Sequence, residues 1–145
     1  METQNTPSST TISGPGFISL QVRNLAASAD FYEHTVGLTR DPLVFPGAVA
    51  FLCSPAILAL SELRPGVNLD SVPTPGLGVA IWFKAQDGQA AYEALSKAGV
   101  PIVRPPFDGP FGRTFTFADP DGYPITVYET DTPILDRLPP VQPAQ

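Results

Sequence analysis

The chain is written twice, and no other feature limits its fold as tightly. Residues 18–38, ISLQVRNLAASADFYEHTVGL, read as a strand, a helix and a glycine stop. Leu25, Ala29, Tyr32 and Val36 share one helical face, Asn24 is placed to cap the helix, and Gly37 ends it. Residues 79–100, VAIWFKAQDGQAAYEALSKAGV, repeat the order with Ala91, Leu95 and Ala98 as the stripe and Gly99 as the stop. The segment that follows also recurs. GAVAFLCSPAILALSE, residues 47–62, lies over GRTFTFADPDGYPITVYE, residues 112–129, with CSPA in the place of ADPDGY. Each unit therefore predicts β-α-β-β-β. The modules span residues 15–63 and 77–130, and 64–76 is a Pro/Gly-rich connector. Residues 1–14 and 131–145 read as flexible tails. One helix covers only one face of a small sheet, so a single module leaves its other face open. Two modules together predict an α+β fold: a curved mixed sheet around a cleft, with the helices outside.

The turn before the last strand has clear local chemistry. Asp119, Pro120 and Gly122 match a type I turn, and Asp119 can accept hydrogen bonds from the backbone ahead of it. Pro124 lacks an N–H and should open the strand. Beyond it Ile125 and Val127 point one way, and Thr126 and Tyr128 the other.

Composition closes several functional classes. With 43% hydrophobic residues the chain can bury a core. Its 14 acidic and 8 basic residues give a net charge of −6, which argues against nucleic acid as a partner. Cys53 is the sole cysteine, so neither an internal disulfide nor a zinc ribbon can form. The polar N-terminus is unlike a signal peptide, and no apolar run is long enough to cross a membrane, so a cytoplasmic setting is expected. His34 is the sole histidine and lies opposite the helix stripe, facing solvent. No Ser–His–Asp or Cys–His catalytic set can be assembled around it.

With LQVRNLAASADFYEHTVGL, FGRTFTFADPDGY and the paired β-α-β-β-β pattern in that order, the chain resembles the vicinal oxygen chelate superfamily. Glyoxalase I, the extradiol dioxygenases and the bleomycin-resistance proteins belong to it. The resemblance covers nearly all of residues 16–130. It implies a cleft in which metal-dependent members hold one divalent ion with His, Gln or Glu from the first and last strands of each module. Here those positions fall on Phe17, Ala59, Gly78 or Ala80, and Thr126, none of which suits such an ion. Glu62 and Glu129 lie beyond vacant positions and are expected as solvated strand-end residues.

Once the positions are placed, strand parity gives the cleft face. The first module offers Phe17, Ser19, Gln21 and Ser61 as ligand-binding residues. The second offers Trp82, Thr126 and Tyr128, with Arg113 and Phe115 near one mouth. The aromatic members can stack on a flat ring, and a cation on the ligand would favour Trp82. Ser19, Gln21, Ser61 and Thr126 would be costly in a dry core, which favours a pocket over a filled interior.

The chain is most similar in character to the metal-free bleomycin-resistance branch. That likeness implies a small-molecule binding protein that sequesters an aromatic or planar antibiotic-like ligand, cationic or neutral, with no catalytic residue and no cofactor. The alternative is a metal-free isomerase, lyase or cyclase using Tyr128, Arg113 or Asp108 for polarisation and proton transfer. A metal-dependent lyase or dioxygenase is disfavoured by the vacant positions. Open sheet edges and the family's habit of pairing modules across chains imply a homodimer. Calorimetry with nickel, zinc, manganese and iron(II), on protein purified without a tag, is expected to show no stoichiometric micromolar binding.

Overall fold

The structure, a computed structural model, describes residues 12–129. The tails expected at 1–14 and 131–145 lie outside the described residues, apart from residues 12–14. The first module runs β1 (Phe17–Val22), α1 (Leu25–Asp30), β2 (Thr39–Arg40), β3 (Ala48–Leu52) and β4 (Ile57–Glu62). The second runs β5 (Ile81–Lys84), α2 (Gly88–Lys97), β6 (Ile102–Gly109), β7 (Gly112–Ala118) and β8 (Pro124–Tyr128). Each module forms one mixed four-stranded sheet, in the orders β1-β4-β3-β2 and β5-β8-β7-β6. The first and last strands pair in parallel and the others antiparallel. The fold is α+β, built as two curved sheets with no strand ladder between them. Among the described residues no helix is long and apolar enough to cross a membrane.

Both helices begin where the side-chain chemistry puts them. The Asn24 carboxamide oxygen accepts from the Ala27 amide at 3.0 Å, and the Asp87 carboxylate accepts from the Ala90 amide at 2.9 Å. Beyond Asp30 the first helix widens into a π-helical segment, Phe31–Val36, which Gly37 ends at φ +95°. Ala29 and Tyr32 are buried, with Leu25 and Val36 packed beside them. In α2 Leu95 is buried, but Ala98 is exposed and ends the helix instead of extending its stripe. Gly88 lets this helix approach β7, since a Cβ there would sit 2.6 Å from the Arg113 carbonyl oxygen.

The modules meet through the first helix. Tyr32 packs on Phe51 of its own sheet and on Phe83 of the other, and Phe31 packs on Phe117. Beside these rings lies the 119–122 turn, closed by a hydrogen bond from the Gly122 amide to the Asp119 carbonyl at 2.9 Å. Its two carboxylates are buried, and both bind the first module. Asp119 accepts from the Tyr32 hydroxyl at 2.7 Å and from the amides of Asp121 and Tyr123 at 2.9 Å each. Asp121 accepts from the Ser28 hydroxyl at 3.1 Å, from the Arg23 amide at 2.9 Å and from the Arg23 guanidinium at 3.1 Å. The Tyr123 hydroxyl donates back to the Gln21 carbonyl at 2.7 Å.

Burial pushes the Asp119 carboxyl above its ordinary value, against the pull of its three hydrogen bonds. Burial, reinforced by Asp119, likewise holds the Tyr32 phenol well above its ordinary range, so it stays a donor. The folded chain therefore keeps a proton on Asp119 at pH values where the unfolded chain has released it. This contribution to stability is complete below the ordinary carboxylate pKa and is lost as pH rises through the raised one.

Replacing Asp119 with Ala strands three donors in a dry site. Urea denaturation is expected to show a loss of about 3 kcal/mol or more. Asp119→Asn keeps an acceptor for the two amides, so the expected loss is about 1 kcal/mol. That variant should also lose the fall in stability just above the ordinary carboxylate range.

Candidate functional site

The site grows from the parity of two neighbouring strands. Register pairs Trp82 with Thr126 and Lys84 with Tyr128 on one face of the second sheet. Ile125 and Val127 face the interior, while Ile81 and Phe83 pack against the core and also line the groove described below. The hairpin joining β6 and β7 adds Phe111, whose carbonyl accepts from the Glu129 amide at 3.1 Å. Gly112 makes that approach possible: it sits at φ +84°, and a Cβ there would collide with the Glu129 carbonyl oxygen.

Three rings then meet, Phe111 edge to face with both others and Trp82 tilted on Tyr128. Trp82 lies 5.6 Å from Phe111 at 84° and 5.9 Å from Tyr128 at 60°. Phe111 and Tyr128 are 6.4 Å apart at 70°. Trp82 remains 44% exposed, so the cluster is a wall and not a filled core.

The first module supplies the facing wall. Leu52, Pro55, Ile57 and Leu58 approach β5 and enclose with it an open groove of about 420 Å³. Groove and walls are mainly apolar, with the Ser54 hydroxyl and the Lys84 ammonium as placed polar groups, the usual make-up of a small-molecule site. No Asp or Glu lines it. A cationic ligand on Trp82 would have to share the groove with the Lys84 ammonium, which weighs against it.

Of the residues expected to bind a ligand, the groove brings together Trp82 and Tyr128. Thr126 shares their face, with its hydroxyl 2.9 Å from that of Thr116. Phe17, Ser19, Gln21 and Ser61 lie on one face of the first sheet but outside the groove. Phe17 is 64% exposed there. Ser19 donates to Ser61 at 3.4 Å, and the Gln21 side chain accepts from the Arg64 amide at 2.9 Å.

Two placements are corrected. Phe115 is fully buried, packing on Tyr92 of α2 at 5.5 Å and on Phe117. It is paired with Val127, and directly opposite residues in an antiparallel ladder share a face, here the helix side. Arg113 has the same parity as Phe115. Its guanidinium donates to Gln89 of α2 at 2.9 Å and to Asp108 at 3.2 Å. The expected parity on β7 was displaced by one residue. Asp108 is consequently a surface partner of Arg113 and does not line the groove.

Glu129 also departs from expectation. Instead of standing solvated, its carboxylate accepts from the Gly88 amide at the start of α2. Glu62 and His34 are exposed, as expected.

The strand ends do not suit a divalent cation. Register sets Ser19 beside Ala59 and Trp82 beside Thr126, while Gly78 and Ala80 precede β5 altogether. Those side chains are apolar or carry a neutral hydroxyl, not imidazole or carboxylate. Among the described residues no group of three or more His, Cys, Asp or Glu could hold a metal.

Phe111 and Lys84 were missed from the sequence. Lys84 was within reach, because it has the parity of Trp82 in IWFK. Phe111 sits in a hairpin turn, where alternation gives no direction.

Comparison with known proteins agrees with the architecture. A family model described as the Glyoxalase/Bleomycin resistance protein/Dioxygenase superfamily matches residues 14–127. No curated protein matches the chain. Among solved structures, a member of that superfamily from Sphaerobacter thermophilus DSM 20745 is 25% identical. The match covers 82% of this chain and 98% of that one, with a TM-score of 0.62. TnmS3, an antibiotic binding protein from Streptomyces sp. CB03234, is 28% identical over 81% of this chain and 96% of its own, with a TM-score of 0.63. A lactoylglutathione lyase from Agrobacterium tumefaciens shares the fold at 22% identity, over 81% and 94% of the two chains, with a TM-score of 0.59.

The two aromatic positions should separate in stability measurements. Phe115→Ala is expected to cost about 3–5 kcal/mol, as for a fully buried ring. Trp82→Ala should cost only about 1–2 kcal/mol, because much of its apolar area is already in water. Parallel urea denaturation of the two variants checks this.

Proposed function

This chain belongs to the Glyoxalase/Bleomycin resistance protein/Dioxygenase superfamily, and from that membership we propose that it is a metal-free binding protein for a planar aromatic small molecule. The observation that carries the reading is the groove walled by Ile81, Trp82, Phe83 and Tyr128 on one side, with Phe111 packed behind the Trp82 and Tyr128 rings, and by apolar residues of the first module on the other. A flat ring entering it would exchange water for stacking and apolar contact. The absence of imidazole and carboxylate donors at the strand positions supports a metal-free site. The likeness to an antibiotic binding protein supports sequestration as the biological role. Binding alone would then protect, and the ligand would leave unaltered.

A second reading, a metal-free isomerase, lyase or cyclase, has its support in the Tyr128 phenol and the Lys84 ammonium, which can move or share a proton within the groove. Arg113 and Asp108 no longer contribute to it.

We further propose a homodimer. Phe17, Leu43, Val44 and Val79 are exposed apolar side chains that a second copy could cover. Light scattering is then expected to give twice the 15.4 kDa chain mass.

The deciding experiment titrates the protein with polycyclic aromatic antibiotics and follows Trp82, the sole tryptophan. Saturable quenching is expected, with the compound recovered unchanged by chromatography and mass spectrometry after release. A product of altered mass or retention would replace the binding reading with the enzymatic one.

A further inference from the structure

The groove has a charge asymmetry that its aromatic character does not explain. Lys84 is its one ionisable cation, and no carboxylate stands in the lining to balance it. Asp87, three residues on, and Glu129, which follows the strand partner Tyr128, are occupied elsewhere. Asp87 and Glu129 accept from the Ala90 and Gly88 amides at the start of α2. Arg23, Arg40 and Arg113 each hold a carboxylate. Lys84 holds none among the described residues, although the chain carries 14 acidic side chains.

Its position relative to the rings is fixed by the strand. Lys84 follows Trp82 on the same face of β5, a separation of about 6.6 Å along the strand, and it stands beside Tyr128 on β8. A ring stacked on Trp82 would therefore point one edge at the ammonium. Ser54 adds a hydroxyl-bearing residue to the same lining.

We propose that the ligand is a planar aromatic anion, a ring system bearing a carboxylate, sulfonate or ionised phenol, and that Lys84 selects it. This deepens the binding reading above and rests on it. The net charge of −6 does not oppose it in physiological salt. Charges beyond a Debye length of about 8 Å are screened, whereas an ammonium in contact with the anion is not. A cationic ring gains from the indole face but meets Lys84 as a like charge.

Three probes of one shape test this: anthracene-9-carboxylate, anthracene-9-methanol and 9-(aminomethyl)anthracene, each titrated against the full chain with Trp82 emission as the readout. The carboxylate is expected to bind about tenfold or more tighter than the amine, a difference of about 1.4 kcal/mol. Lys84→Gln should bring the three within about twofold of one another, and Lys84→Glu should reverse the order. Lys84 is exposed, so unchanged melting of both variants should confirm that only the site is altered. If all three probes quench Trp82 equally in the unmodified protein, or if the preference survives Lys84→Gln, the charge selection is overturned while aromatic binding stands. If none binds, both readings fall.

Discussion

Two buried carboxylates on one turn hold this molecule together. Asp119 and Asp121 lie between modules that share no strand ladder. Burying a carboxylate is expensive unless every oxygen finds donors. Its own turn supplies two amides to Asp119, and the other module supplies the rest: the Tyr32 hydroxyl for Asp119, and the Ser28 hydroxyl and Arg23 for Asp121. The cost of burial thus becomes a demand for one arrangement of the modules. Apolar contacts such as Phe31 on Phe117 and Tyr32 on Phe83 add stability, but they tolerate sliding more readily than directed hydrogen bonds do.

The groove inherits its shape from that demand. Its ring wall is set within the second module by the register of β5 against β8 and by Gly112 in the hairpin. Its opposite wall, Leu52 to Leu58, belongs to the first module. The distance between the walls therefore depends on how the first helix is anchored to the 119–122 turn. A change at that turn would alter the groove without touching a residue that lines it.

Periodicity made the architecture legible. Helix stripes, caps and glycine stops repeat in both halves, and these are local signals that survive tertiary folding. The shared face of Trp82, Thr126 and Tyr128 was readable because β5 and β8 alternate without interruption. Arg113 and Phe115 were misread because β7 begins straight after a tight hairpin, where a displacement of one residue reverses every side chain. The structural role of Asp121 was hidden for a different reason. Its partners Arg23 and Ser28 are distant in sequence, and no local pattern announces a contact of that range.

The duplicated units have divided the work of one loop. In the second module the loop before the last strand carries the two buried carboxylates and grips the first helix. In the first module its counterpart is Cys53–Ser54–Pro55–Ala56, which has no carboxylate and lines the groove. The second helix is correspondingly held by its own module, through Glu129 at its first amide and Arg113 at Gln89. A symmetric pair would have anchored both helices across the junction and left neither loop free to form a wall. With the acidic pair in one copy alone, the anchoring lies on one side and the other loop lines the groove. The chain is therefore a repeat in topology whose corresponding loops differ, one anchoring the junction and the other lining the groove.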